Sequence, residues 1–305
     1  MINIDNSAGK LKQIIQYFRL LKARYNFFDL LTIDIKNPKK FGFIGIDGHQ
    51  NKLALMKNKH KGQRCFIIAN GPSLASMDLE PLKNEITIGC NGIYKAFEKW
   101  GFETDYLVFE DIDQTRIRAK EIEKLKNIKK FMAIYNAADV KVDENTTLFY
   151  SPRTAGHNNK SNGYYYISND TYPQFSKDFA SIVHLGSTVT YIMLQLAYHL
   201  GFDEVYIVGL DHSYGPLSEL YEDGSYVKVT DETLEIVKQC HYDPNYYKVG
   251  DIIGVPSVKL QEKAYAEAKK TFLENGRKIY NASTFSKLEI FEKVEFQSLF
   301  DEENK

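Results

Sequence analysis

From Arg64 onward the chain alternates short apolar runs with polar clusters. Cys65–Ala69, Ile86–Cys90, Tyr106–Phe109, Phe131–Ile134, Thr147–Tyr150 and Glu204–Val208 are each four or five residues long and mostly apolar. Runs of that length, without the alternation of a half-exposed strand, predict strands buried on both faces. Ile93–Trp100 and Arg116–Lys126 have helical character, and Thr188–Leu200 reads as a long, largely apolar helix. Strands alternating with helices predict an α/β fold, a mostly parallel sheet with helices on both faces. Near the amino terminus, Leu11, Ile14, Ile15, Phe18, Leu21, Tyr25 and Phe28 recur at helical spacing, with Lys12, Arg19, Lys22 and Arg24 on much of the remainder. The expected organisation is a basic helical extension over 1–60, a nucleotide-binding core over 61–215, and a lid and C-terminal helical region over 216–305.

Strand after strand ends in a small or polar cluster. Asn70-Gly71-Pro72-Ser73, Asn91, Glu110-Asp111 and Asp211-His212 each follow an apolar run. In an open α/β sheet ligands bind outside the carboxyl ends of the strands, so these residues are expected to line one crevice. Two long segments, Ser151–Phe179 and Ser213–Pro256, lack clear periodicity but carry Tyr164, Tyr165, Tyr166, Tyr172, Tyr221, Tyr226, Tyr242, Tyr246 and Tyr247. Long structureless connections are uncommon unless functional, and tyrosines suit stacking on sugars or bases, so both read as lids.

Composition narrows the function classes. With 43% hydrophobic and 26% charged residues among 305, the chain is an ordinary globular one. Cys65, Cys90 and Cys240 form no CxxC pair, which argues against a disulfide scaffold and for the cytoplasm. The net charge of −1 hides an asymmetry, because residues 1–62 hold twelve basic and four acidic residues. The basic amphipathic segment 10–31 is therefore expected to dock on protein, its own domain or a partner subunit, or to rest peripherally on the anionic inner leaflet of a membrane. Nucleic acid is not an expected partner, since no basic patch interleaved with aromatics follows residue 62.

The first strand end, Ile67-Ile68-Ala69-Asn70-Gly71-Pro72-Ser73-Leu74, is a strand running into a small-residue loop. Gly71 permits close backbone approach to a ligand, and Ser73 is placed to cap a helix whose N–H groups would face a phosphate. No GxGxxG and no GKS/T is present, so neither the dinucleotide fingerprint nor the Walker loop applies.

IIANGPSL, the GCN of Gly89–Asn91 and the LGF-DEVYIVGLDHSYG of Leu200–Gly215 together resemble the bacterial lipooligosaccharide sialyltransferases of glycosyltransferase family 42. They also resemble a wider group sharing a domain with flagellin-glycosylation motility accessory factors and hydroxymethylpterin diphosphokinases. The likeness runs from about Lys61 to Lys278. It implies a Rossmann-like fold, a GT-A-like variant, and an inverting transfer of a sialic-acid-like sugar from a CMP-sugar donor to a glycan or glycolipid acceptor, in surface polysaccharide or lipooligosaccharide synthesis. Homo-oligomers are common in the family. The resemblance places the nucleotide on Asn70, Gly71, Asn91 and the turn Gly186-Ser187-Thr188; Pro72, Ser73, Asp111, Asp211 and His212 are expected to bind it with them because they end neighbouring strands. A tyrosine near the GxD turn binds the leaving phosphate in the family. Here the turn reads His212-Ser213-Tyr214, so Tyr214 takes that role by a one-residue shift. The family's general base is a histidine in the following loop, which corresponds to His241. A histidine suits that task because it titrates near neutrality. The departing phosphate could also be stabilised by Arg153. His184 and His199 read as packing or surface positions.

No metal is expected for this chemistry, because a nucleoside monophosphate leaves without metal help. Glu110-Asp111-Ile112-Asp113 nevertheless contains a DxD, and Asp111 with Asp113 would hold Mg or Mn if the pair acted as in metal-dependent transferases. The alternatives are a Mg-dependent 6-hydroxymethylpterin diphosphokinase using those carboxylates, and a non-catalytic accessory binding protein.

Overall fold

The computed structural model describes residues 47–151 and 173–301. The amphipathic segment with its membrane or subunit contact, Arg153, and the tyrosines 164–166 and 172 lie outside the described residues.

The first half of the described chain runs α1 (Asp47–Leu55), β1 (Arg64–Ile68), β2 (Thr87–Cys90), α2 (Phe97–Trp100), β3 (Tyr106–Phe109), α3 (Ile112–Ile117), α4 (Ala119–Ile122), β4 (Lys129–Ala133) and β5 (Thr146–Phe149). It continues with α5 (Val189–Leu200), β6 (Glu204–Val208), α6 (Pro216–Leu220), β7 (Tyr226–Lys228), α7 (Asp231–Val237), β8 (Ile252–Gly254), α8 (Val258–Glu274), β9 (Lys278–Asn281) and β10 (Glu292–Lys293). Eight strands form one sheet in the order β10-β9-β6-β1-β2-β3-β4-β5. Every neighbouring pair in it is parallel. The six strands expected from apolar runs are all present, within two residues of the expected ends, and the α/β class with a mostly parallel sheet and helices around it holds.

The order of the strands locates the site. From β1 the chain steps outward to β5, returns to place β6 on the other flank of β1, and then steps away to β9 and β10. The direction reverses between β1 and β6, and a sheet of this kind opens a crevice at that reversal. Register brings the strand ends level, with Ile68 beside both Val208 and Gly89, and Cys90 beside Val108.

Helix α5 is buried from Thr190 to Leu200, apolar almost all round, because it lies between the sheet and α8. Thr188 caps it by accepting from the Thr190 N–H. Gly201 ends it in the left-handed conformation at φ 95°.

Other stretches differ from their sequence reading. Ile93–Trp100 is a 3₁₀ turn over Asn91–Ala96 that runs into α2, and the helix expected from Arg116 starts earlier, as α3, because Asp111 caps it. The stretch 213–256 is structured: α6, α7 and the antiparallel ribbon β7–β8 surround a small core of Leu217, Val229, Val237, Cys240, Tyr246, Tyr247, Ile253 and Val255. Its elements are three to seven residues long, too short to carry a readable period. Beyond α8 the chain re-enters the main sheet, with Tyr280 beside Tyr206, so the sheet extends past the 61–215 segment. Among the described residues no helix is long and apolar enough to cross a membrane.

Candidate functional site

The loops after β1 and β6 are clasped to each other. The Gly71 N–H donates to the Gly209 carbonyl at 2.8 Å. The Asp211 carboxylate accepts from the Ser73 N–H at 2.8 Å and from the Ser73 hydroxyl. A Cβ on Gly71 would stand 2.4 Å from the Gly209 oxygen and 2.7 Å from the Asp211 carboxyl carbon. Gly71 is therefore required by the approach of two protein loops. The residues after it form a five-residue 3₁₀ turn, Pro72–Ser76, without a side-chain cap. Ser73 does not cap a phosphate-facing helix as expected; both of its donors serve Asp211. Burial holds the Asp211 carboxyl above the ordinary carboxylate range, against the opposing pull of the Ser73 bonds.

Around this clasp lies a cavity of about 150 Å³. Asn70, Gly71, Pro72, Asn91, Asp111, Thr188, Asp211, His212, Tyr214 and His241 all line it, drawn from six separate parts of the chain. Ser73, Gly186 and Ser187, also expected at the site, do not line it. Gly186 is packed where a Cβ would meet Tyr191 at 2.5 Å. The Ser187 carbonyl accepts from Gln261, whose other amide atom accepts from the Tyr214 hydroxyl at 3.0 Å. Residues that sequence reading did not place in the wall include Cys90, Gln114, the first turn of α5 (Val189 and Thr190), and Cys240. Gln114 was recoverable from the sequence, being three residues after a capping Asp on the same helical turn.

Several features make the cavity the candidate ligand site. The first turn of the twelve-residue helix α5 faces it, so the positive end of the helix dipole is directed into the cavity. The Asn91 Oδ1 is buried without a hydrogen-bond partner. Asn91, Ser187 and His212 hold φ of 48°, 58° and 51°, a region non-glycine residues seldom enter. Such backbone persists only where its surroundings over-determine it, and it clusters at functional sites.

The stretch 240–247 roofs the cavity. The Tyr242 N–H donates to the Asn70 carbonyl at 2.7 Å, and the Asn70 amide reaches Cys90. His241 stacks on Tyr246 with ring centroids 4.6 Å apart, and the Arg118 guanidinium sits 4.3 Å from the same ring centroid. Arg118 also donates to Gln114 and to the Tyr246 carbonyl. Burial, reinforced by the Arg118 charge, pulls His241 down to about 4, and burial alone pulls His184 to about 4. His241 is thus neutral at pH 7 but a weaker base than an ordinary imidazole. The unfolded chain binds these protons near 6.5, so the unfolded state holds more protons between about 4 and 6.5. The stability these groups contribute above pH 6.5 is accordingly lost as the pH falls through that window. Urea midpoints are expected to drop from pH 7 to pH 5, and His241→Gln to flatten the slope by up to about 1.4 kcal/mol per pH unit. A variant whose slope matches the wild type would refute the assignment.

Asp111 and Asp113 do not form a joint metal site. Asp111 lines the cavity and caps α3 by accepting from the Gln114 N–H at 2.8 Å, while Asp113 pairs with Arg116 and is not part of the wall. Residues two apart on a helix point in different directions. Among the described residues no group of three His, Cys, Asp or Glu side chains is placed to hold a metal. His199 packs as expected, buried with its Nε2 2.8 Å from the Leu53 carbonyl.

Three solved structures with a similar fold illustrate the range of neighbours. The MAf glycosyltransferase from Magnetospirillum magneticum AMB-1 is 16% identical with a TM-score of 0.43, over 83% of this chain and 39% of that one. The sialyltransferase CstII from Campylobacter jejuni, solved with the substrate analogue CMP-3FNeuAc, is 15% identical with a TM-score of 0.36, over 76% of this chain and 86% of that one. A mammalian sialyltransferase, solved with Gal-beta-1-3GalNAc-ortho-nitrophenol, is 10% identical with a TM-score of 0.34, over 89% of this chain and 86% of that one. No curated protein matches the sequence. The family described as 6-hydroxymethylpterin diphosphokinase MptE-like matches residues 47–216, more than half of the chain and the segment that carries β1 to β6 with both clasped loops. The chain belongs to the MptE-like family.

Proposed function

We propose that the chain is an inverting glycosyltransferase that moves a sialic-acid-like sugar from a CMP-sugar to a glycan acceptor in surface polysaccharide or lipooligosaccharide synthesis. The observation that carries this reading is the convergence of Asn70, Asn91 and the first turn of α5 on one cavity at the reversal of the sheet. An asparagine oxygen without a partner suits the amino group of a cytosine or a ribose hydroxyl, and the helix terminus suits the phosphate. Tyr246 and Tyr247 line the cavity from the roof. The acceptor hydroxyl attacks the anomeric carbon and the bond to the phosphate breaks with its electron pair leaving on CMP. The proton passes to an imidazole, of which the cavity holds two: His241, designated by the sequence resemblance, and His212. Tyr214 is the candidate partner of the leaving phosphate; burial pushes its phenol up to about 12, so it donates as a neutral hydroxyl.

Family membership favours a second reading, a pterin diphosphokinase that uses ATP. The divergence of Asp111 and Asp113 weighs against a magnesium ion shared by that pair. Calorimetry with CMP and with ATP in magnesium separates the two. The expected result is binding of CMP and slow release of CMP from CMP-sialic acid without an acceptor. Binding of magnesium ATP with no response to CMP would overturn the glycosyltransferase in favour of the kinase.

A further inference from the structure

Whatever group is transferred, the acceptor hydroxyl must give up a proton, and an imidazole that takes it becomes a cation. The two imidazoles of the cavity differ in what surrounds that cation. His241 shares the Tyr246 ring with the Arg118 guanidinium, so protonating it sets like charges side by side. At His212 burial also lowers the proton affinity, but the neighbouring charge, Glu262, opposes that pull. The His212 side chain is 2% exposed, and its Nε2 lies 3.5 Å from Glu262 Oε1 on α8. Both of its ring nitrogens are buried without a hydrogen-bond partner, as is the Nδ1 of His241. The rings of Tyr214, on its own loop, and Tyr265, on α8, stand 6.5 Å and 6.0 Å away, and Asp211 precedes it in the chain. The φ of 51° turns this residue out of the ordinary strand path. The loop is fixed in that path from behind, by Lys287 N–H donating to the Asp211 carbonyl at 2.9 Å and by Ser283 and Ser286 on either side of Leu210.

We propose that His212, oriented by Glu262, is the proton acceptor of the transfer reaction, and that His241 serves as an uncharged wall of the nucleotide site. The proposal rests on the transferase reading above and holds for either donor. The carboxylate holds the hydrogen on Nε2, which leaves the lone pair on Nδ1 for the acceptor. As the acceptor oxygen bonds to the electrophilic carbon or phosphorus, its proton moves to Nδ1, the nucleoside monophosphate leaves with the electron pair of the broken bond, and Glu262 balances the imidazolium. The 3.5 Å separation closes to a hydrogen bond in the complex, as catalytic pairs commonly do. Glu262 is a positioning residue and His212 the catalytic one.

Nitrogen-15 histidine spectra of the full chain test the pair without any substrate, with the His212 signals assigned through His212→Gln. The expected neutral form carries its hydrogen on Nε2, and Glu262→Gln lowers the His212 titration midpoint by about half a pH unit or more, a roughly threefold loss of proton affinity. Hydrogen on Nδ1, or an unmoved midpoint, overturns the proposal. Release of nucleoside monophosphate from CMP-sialic acid, or from ATP with 6-hydroxymethylpterin, tests the chemistry. His212→Gln is expected to slow it by about 10²-fold or more, and Glu262→Gln to move the acid limb of its pH profile. Undiminished turnover by His212→Gln overturns the proposal. If the wild type turns over neither donor, the transferase reading fails, and the spectra decide the His212–Glu262 pair independently.

Discussion

Gly71→Val is expected to abolish the CMP binding proposed above and to lower the melting temperature by roughly 5–10 °C. The substituted carbon would begin 2.4 Å from a backbone oxygen and 2.7 Å from the Asp211 carboxyl group. Neither neighbour can yield. The Gly209 carbonyl is fixed by the hydrogen bond from Gly71 itself, and the carboxylate is tied to two donors of Ser73. Overpacking of this kind costs about 1–3 kcal/mol, with about 1 kcal/mol more for each hydrogen bond that breaks. Separating the loops also displaces Asn70, whose carbonyl holds the roof through Tyr242. Differential scanning and calorimetry with CMP measure both effects. A valine variant that melts within 1 °C of the wild type would show that the two loops are not clasped in solution.

The residues that carry this prediction were visible in the sequence, but the reason for them was not. Apolar runs of four or five residues located six strands, and the polar clusters after them marked the rim of the crevice, because a parallel strand buried on both faces leaves polar residues nowhere else to go. What the sequence concealed is which rim residues face the cavity and which support it. Ser73 looked like a helix cap and is a donor to a residue 138 positions away. Asp113 shares a DxD with Asp111 and turns to Arg116 instead. Both outcomes depend on contacts between distant segments, which no local pattern records. The roof was hidden for another reason. Tyr246 and Tyr247 belong to a small core built from two three-residue strands and two helices of five and seven residues, below the length at which periodicity appears. Glu262 is half exposed on a helix whose other face packs on α5, so along the chain it is one acidic residue among many.

Asp211 is where support and site meet, and its replacement separates the two. Asp211→Ala leaves the Ser73 amide and hydroxyl buried without an acceptor, and each unsatisfied group costs about 1–3 kcal/mol, so a loss of about 2–6 kcal/mol is expected. Asp211→Asn keeps an oxygen for the amide, and the hydroxyl can turn to accept from the new NH₂, so its loss should stay below about 1.5 kcal/mol. The pH dependence has a definite sign. Burial raises the folded-state pKa of Asp211, so its contribution to stability is full below the ordinary carboxylate range and declines as the pH rises through the raised value. The uncharged asparagine lacks that decline. Measured as a difference from the wild type, Asp211→Asn should therefore gain stability between pH 4 and pH 7.5, whatever the buried histidines contribute to both proteins. Urea denaturation of the three proteins at those two pH values decides it. Equal losses for alanine and asparagine would mean that the clasp between β1 and β6 does not depend on the Ser73 bonds. A carboxylate held this way is a structural strut at the edge of the cavity, and it fixes the backbone that carries His212 beside Glu262.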